Sequence, residues 1–254
     1  MKFARFVPAA LVLMLAIVPS PALAQAAQQG LTLDLTGGGQ MTERLIQIIG
    51  LITILSLAPS ILIMMTCFTR IVVVLSLLRT AIGIQQSPPN SVIVSLALFL
   101  TFFVMAPTIA EINQTAMQPL ISEQITTEEA LTRAESPVKK FMAAHTSVAD
   151  LGLFVTMAQA APPDTVEAAP LQALVPAFML SELKRAFEIG FLLFVPFLII
   201  DMAIASILMS MGMMMLPPIV ISLPFKLIFF VLVDGWRLVA GSLVASYGVG
   251  APGP

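Results

Sequence analysis

Met209-Ser210-Met211-Gly212-Met213-Met214-Met215-Leu216-Pro217-Pro218 separates two long apolar runs, 187–209 before it and 219–233 after it. The first run alone, and the second with its apolar tail to Tyr247, reach the roughly 20 residues a helix needs to cross a hydrocarbon core. Gly212 lends the backbone freedom, and Pro217 and Pro218 cannot continue a helix. The stretch therefore reads as a turn, and the two runs fold back as an apolar helical hairpin. Methionine is unbranched and polarizable, so a cluster of it conforms to varied contours. From spacing alone the turn is either an ordinary apolar turn buried among helices or a conformable seal.

Each arm of the hairpin carries one costly charge, Asp201 in the first and Lys226 in the second. Their midpoint falls between Met213 and Met214. An antiparallel hairpin about that point puts both at one height, about 19 Å from the turn at 1.5 Å per residue. Lone charges in apolar helices are paired or functional. A structural ion pair fixing the register is the first reading, within the hairpin or between copies; a proton relay or latch is the second. By the same register Glu188 and Arg237 form a possible second pair. Trp236, Arg237 and Tyr247 read as interfacial anchors.

The whole composition agrees with a bilayer as solvent. Of the 254 residues 58% are hydrophobic and only 10% charged, and the mean hydropathy is +1.00, far from a soluble surface. The net charge of -2 and the lack of a long basic stretch set nucleic acid aside. One cysteine, Cys67, and one histidine, His145, exclude an internal disulfide and a multi-histidine or cysteine metal centre. Both read as structural residues. No Ser/His/Asp set or phosphate loop can be assembled, so the chain is expected to be no enzyme and to carry neither metal nor cofactor.

Toward the N-terminus, Lys2 and Arg5, the apolar 7–18 and the small residues up to Ala24 have the order of a secretory signal peptide cleaved after Ala24. A flexible Gly-rich leader follows over 25–42. Apolar runs at 45–65 and 70–78 and a second block at 91–109 make a first apolar hairpin, 43–110. It is interrupted by Gln86-Ser87-Pro88-Pro89-Asn90, where Asn90 is expected to cap the next helix. Arg70 and Arg79, with no acid nearby in sequence, mark a cytoplasmic end.

The composition turns acidic and polar over 111–183, a water-facing periplasmic insert. Thr126-x-x-Glu129 resembles a capping box, and Ser136-Pro137 a second helix start. Val138, Phe141, Met142, Val148 and Leu151 mark one face of an amphipathic helix. The second apolar hairpin fills 184–250. The expected fold is an all-α membrane protein of helical hairpins, with about four apolar blocks and an amphipathic helical insert. Four simple spans put both mature ends outside, but Lys184 and Arg185 then stand on the external side, against the charge rule.

Several of these stretches taken together resemble one family. They are Thr69-Arg70-Ile71-Val72-Val73-Val74-Leu75-Ser76-Leu77-Leu78-Arg79, Gln86-Ser87-Pro88-Pro89-Asn90, Phe197-Leu198-Ile199-Ile200-Asp201, Met213-Met214-Met215-Leu216-Pro217-Pro218 and Leu223-Pro224-Phe225-Lys226 through Val233-Asp234-Gly235-Trp236. They are similar to the flagellar biosynthesis FliP family, which includes the SctR proteins of virulence injectisomes. The resemblance runs from about Glu43 to Tyr247. It implies a core subunit of the type III protein export gate in the inner membrane and flagellar basal body. It further implies a homo-oligomer, a pentamer in the family, joined by FliR and FliQ, neighbouring FlhA and FlhB, in contact with lipid and passing unfolded export substrates. In that family the Met-rich loop closes the pore, which assigns Met211, Met213, Met214 and Met215 here, with Gly212, Pro217 and Pro218 as the turn. Helices stacked in a cone raised toward the periplasm would account for Lys184 and Arg185. The signal peptide and long acidic insert resemble the flagellar branch more than the injectisome branch. A small-solute or ion transporter using Asp201 and Lys226 is the alternative from a different class, opposed by the lack of an inverted repeat.

Overall fold

Apolar periodicity becomes helix throughout. The computed structural model describes residues 45–248 apart from 46–47, 51, 54–55, 58–59, 62, 85 and 214–216, and every regular element among the described residues is helical. The expected signal peptide, 1–24, and leader, 25–42, lie outside them. The described residues up to 57 belong to a separate unit. Its described residues are helical, with Thr53 and Ser56 hydroxyls donating to carbonyls one turn back.

Besides the helical residues 60–61 and 63–64, the remainder includes α1 (Phe68–Ile82), α2 (Asn90–Ile112), α3 (Gln118–Ile121), α4 (Thr127–His145), α5 (Val148–Met157), α6 (Leu171–Ser210), α7 (Pro218–Leu232) and α8 (Gly235–Ala245). A π-helical turn, Asn113–Met117, joins α2 to α3, so that Asn90–Ile121 runs as one helix of 32 residues. That helix and α6 are each long and apolar enough to span a membrane; α7 and α8, bent by 61°, make a third span if taken together.

The central element is α6, 40 residues in one helix. At 1.5 Å per residue it is about 60 Å long, twice a hydrocarbon core of roughly 30 Å. It therefore belongs to two environments. Its first half packs Ala173, Leu174, Ala177 and Phe178 against Met142, Leu151 and Val155 of α4 and α5. Its second half packs against α1 and α7 in a core of Ile71, Val74, Leu75, Leu78, Phe197 and Phe230. The boundary expected between insert and hairpin, 183/184, falls inside this helix.

Several local expectations change. Thr126 and Glu129 form a reciprocal capping box, each side chain accepting the other's backbone N–H at 3.3 Å. Ser136-Pro137 starts no helix: Pro137 is inside α4 and buried, so packing offsets the backbone bond it cannot make. Asn90 is the first residue of α2 instead of its cap, and its Oδ1 accepts from Arg79 Nη1 at 2.6 Å. The apolar face read across Val138 to Leu151 breaks at Thr146 and Ser147, leaving Val148 75% exposed while Met142 and Leu151 are buried.

Two glycines let helices meet. A Cβ on Gly190 would lie 2.3 Å from Leu77 Cδ1, so the Leu77 side chain of α1 packs directly on the backbone of α6 here. A Cβ on Gly235 would lie 2.2 Å from the Phe230 ring, just past the bend, where Asp234 holds a left-handed φ of 51°. That ring is buried and packs against both Phe197 and Trp236, which hinders its displacement. Gly235→Ala is therefore expected to destabilise the detergent-solubilised protein by about 1–3 kcal/mol, the usual cost of overpacking. Gly241→Ala, where a Cβ meets open space, should leave the thermal unfolding midpoint unchanged or raise it.

Candidate functional site

The Met-rich turn begins with a defined helix end. Gly212 takes φ +75°, Met213 N–H donates to Leu208 C=O at 3.0 Å and Gly212 N–H donates to Met209 C=O at 3.1 Å. This pair of bonds is a Schellman motif with glycine in the left-handed position. At the other end Pro217 precedes α7 and Pro218 opens it, where a missing N–H costs nothing. The loop is thus anchored on both sides. Met211 is 66% exposed and Met213 43% exposed. Met214 and Met215 lie outside the described residues.

Behind the loop, α6 and α7 are joined by their charges. Lys226 Nζ lies 2.6 Å from Asp201 Oδ2, and Ser222 Oγ donates to Asp201 Oδ1 at 2.5 Å. Lys226 also donates to the carbonyl of Ala81, at 3.4 Å, in the last turn of α1. An ammonium and both carboxylate oxygens are therefore satisfied in an apolar setting, and the lysine reaches a third helix. The expected pair of Glu188 and Arg237 is not formed. Arg185 Nη1 reaches Glu188 Oε2 at 3.1 Å, and Arg237 Nη1 lies 3.8 Å from Asp234 Oδ2. The 61° bend at Asp234 ends the straight hairpin register on which that pairing depended.

A buried ion pair that sequence reading missed lies higher on α6. Glu182 is fully buried and its Oε1 pairs with Nη2 of Arg70, itself only 4% exposed. Tyr247 donates its hydroxyl to the other Glu182 oxygen, and the Arg70 guanidinium lies 4.0 Å from the centroid of the Tyr247 ring. Arg70 Nη1 also donates to Ser246 Oγ at 3.3 Å. Arg70 is thus no exposed marker of a membrane face, and Tyr247 is no interfacial anchor. They tie α1 and the chain following α8 to α6. Trp236 and Arg237 are exposed, as anchors would be. Cys67 is buried in the core, and His145 Nδ1 is bonded to Phe141 C=O at 2.8 Å, its ring beside Tyr247. Among the described residues no group of acids, histidines and cysteines is arranged to hold a metal ion.

Removing Asp201 leaves the buried Lys226 ammonium uncompensated, at about 3–5 kcal/mol, and removing Lys226 leaves an uncompensated carboxylate that is only half-buried and costs less. Asp201→Ala and Lys226→Ala should each lose assembly of the membrane complex, read as mass on detergent gel filtration. Exchanging the two residues should restore only part of it, because an aspartate at 226 cannot donate to Ala81.

Residues 51–243 match the model of the FliP family. The flagellar biosynthetic protein FliP of Caulobacter vibrioides is 60% identical over 238 residues, covering 94% of this chain and 88% of that protein. The protein of the same name from Bacillus subtilis is 57% identical over 202 residues, 80% of this chain and 91% of its own. That of Aquifex aeolicus is 56% identical over 214 residues, 83% and 89% respectively. With a family model spanning most of the described helices and relatives aligned over nearly their full lengths, this all-helical membrane chain belongs to the FliP family.

Proposed function

We propose that the chain is a pore-forming subunit of the flagellar protein export gate, and that its Met-rich loop is the seal. Family membership makes it a membrane-embedded component of the flagellar export apparatus, structural and not enzymatic, that associates with other components of that apparatus. The pore and the seal are the further step. What supports them is the contrast between the loop and its mounts. Met211 and Met213 are exposed, on a turn fixed by a glycine-terminated helix on one side and two prolines on the other. Flexible apolar side chains on a rigid mount close around a variable contour without binding any one sequence.

In this reading several copies, with the FliR and FliQ partners that the resemblance implies and near FlhA and FlhB, surround a channel for unfolded substrates in the inner membrane. The 111–183 insert lies on the periplasmic side. The surplus length of α6 over a bilayer thickness lets part of the assembly rise above the membrane. The Asp201–Lys226 pair holds the two arms of the hairpin level so that the loops of neighbouring copies meet at one height. Use of the same pair as a transporter's coupling site is disfavoured, since Ser222 and Lys226 already occupy both Asp201 oxygens.

Replacing Met211, Met213, Met214 and Met215 together by alanine should make cells that express the assembled complex permeable to small dyes and ions in a conductance or uptake assay. Unchanged permeability, with assembly intact, would exclude the methionines as the seal.

A further inference from the structure

α1 runs beside α6 and in the same direction. Its Arg70 meets Glu182, its Leu77 lies on Gly190, and the carbonyl of its Ala81 accepts from Lys226, the partner of Asp201. The C-terminus of α1, with the turn into α2, therefore lies toward the end of α6 that leads into the Met-rich loop. Neither the ion pairs nor the proposed seal gives this turn a task, yet it is held closed at both ends. Gly83 ends α1 in the left-handed region, at φ +92°, and its N–H donates to Thr80 C=O at 3.1 Å. Arg79 Nη1 donates to Pro88 C=O at 3.2 Å and to Asn90 Oδ1 at 2.6 Å. A single nitrogen in the last turn of α1 thus clasps the start of α2.

The second arm of the hairpin rests on this turn. A Cβ on Gly83 would lie 3.2 Å from Leu223 Cδ1, so the Leu223 side chain of α7 packs on the Gly83 backbone. Three residues further along α7, Lys226 donates to the Ala81 carbonyl at 3.4 Å, at a helix C-terminus, where a cation is favoured. Residues three apart share one helix face, so that face of α7 is seated on the end of α1. Leu223 stands five residues after Pro218, about 8 Å along the helix. The seat therefore lies within two turns of the point where the Met-rich loop enters α7.

We propose that Arg79 is a positioning residue for the methionine seal. By clasping the turn at Pro88 and Asn90 it fixes the platform under Leu223 and the carbonyl that meets Lys226, and so sets the height at which α7 holds its end of the loop. The inference rests on the seal reading and adds to it a residue far from the loop in sequence. Opening the clasp leaves the Asp201–Lys226 pair closed but frees the turn to withdraw from Leu223, so the first turns of α7 loosen while the hairpin keeps its register. Because one nitrogen makes both bonds, the site needs a cation with more than one N–H and makes no use of the guanidinium fork. A lysine ammonium meets that need.

The test compares Arg79→Ala, Arg79→Lys and Asn90→Ala in the assembled complex with the variant in which Met211, Met213, Met214 and Met215 are alanine. In detergent, Arg79→Ala should speed hydrogen exchange of the α7 amides over 221–228 about tenfold, the scale of one lost hydrogen bond to a charged group. Exchange over 127–157, in α4 and α5, should stay at the wild-type rate. In cells, Arg79→Ala should raise dye uptake several-fold, Asn90→Ala should raise it less because Pro88 still accepts, and Arg79→Lys should return both readouts to wild type. Exchange that rises equally in α4, α5 and α7 would make Arg79 a residue of general stability and overturn the proposal. A tight Arg79→Ala complex beside a leaking methionine variant would overturn it and leave the seal standing; a tight methionine variant would remove the seal and this inference together. Should Arg79→Ala fail to assemble, Asn90→Ala, on an exposed side chain, decides by the same outcomes.

Discussion

Two acids on one long helix, each neutralised by a base from another, hold this structure together. Glu182 and Asp201 are about 28 Å apart along α6 at 1.5 Å per residue. Arg70 of α1 answers the first and Lys226 of α7 the second. An unpaired charge in such surroundings costs several kcal/mol. Apolar packing alone permits helices to slide and rotate, because one leucine contact resembles the next. The ion pairs select a single register. Lys226, by also reaching the Ala81 carbonyl, brings α1 into the same arrangement at its lower end, as Arg70 does at its upper end.

Around that frame the remaining special residues are explained by close approach. Gly190 lets α1 come against α6 where Leu77 would otherwise collide. Asp234 and Gly235 turn the chain by 61° so that α8 leaves the hairpin direction and Tyr247 can return to Glu182. The Val233-Asp234-Gly235-Trp236 motif is thus a bend, with Gly235 making room for Phe230 and Trp236 meeting the same ring edge-on.

The legible part of the chain was whatever its own neighbourhood determines. Apolar runs announced helices, and the glycine and prolines around the methionines announced the turn. Asp201 and Lys226 could be paired because they mirror each other about that turn. The Arg70–Glu182 pair could not be found this way, since its members are 112 residues apart and Glu182 belonged to a stretch read as a polar insert. The only available signal was an acid followed by bases at the head of a long apolar run. Extrapolation failed for Glu188 and Arg237 because hairpin symmetry holds only as far as the helices stay straight. Ser136-Pro137 and Asn90 were misread for a related reason: a local start signal is overruled when packing continues a helix through it or when a distant arginine claims the capping side chain.

The division of labour along α6 bears on how a gate can open without the subunit coming apart. Its upper half is committed to the α4–α5 layer through Phe178 and Leu174, and its lower half to α1 and α7. Movement that separated these helices would expose buried charge. Among the described residues of the loop beyond Ser210, the glycine is in open space and Met211 and Met213 are exposed. Rotating a methionine side chain about its unbranched bonds costs little beside breaking an ion pair. The seal proposed for this place would therefore yield to a passing chain by side-chain motion while both pairs stay closed, and its opening would require no change in the register of the helices that carry it.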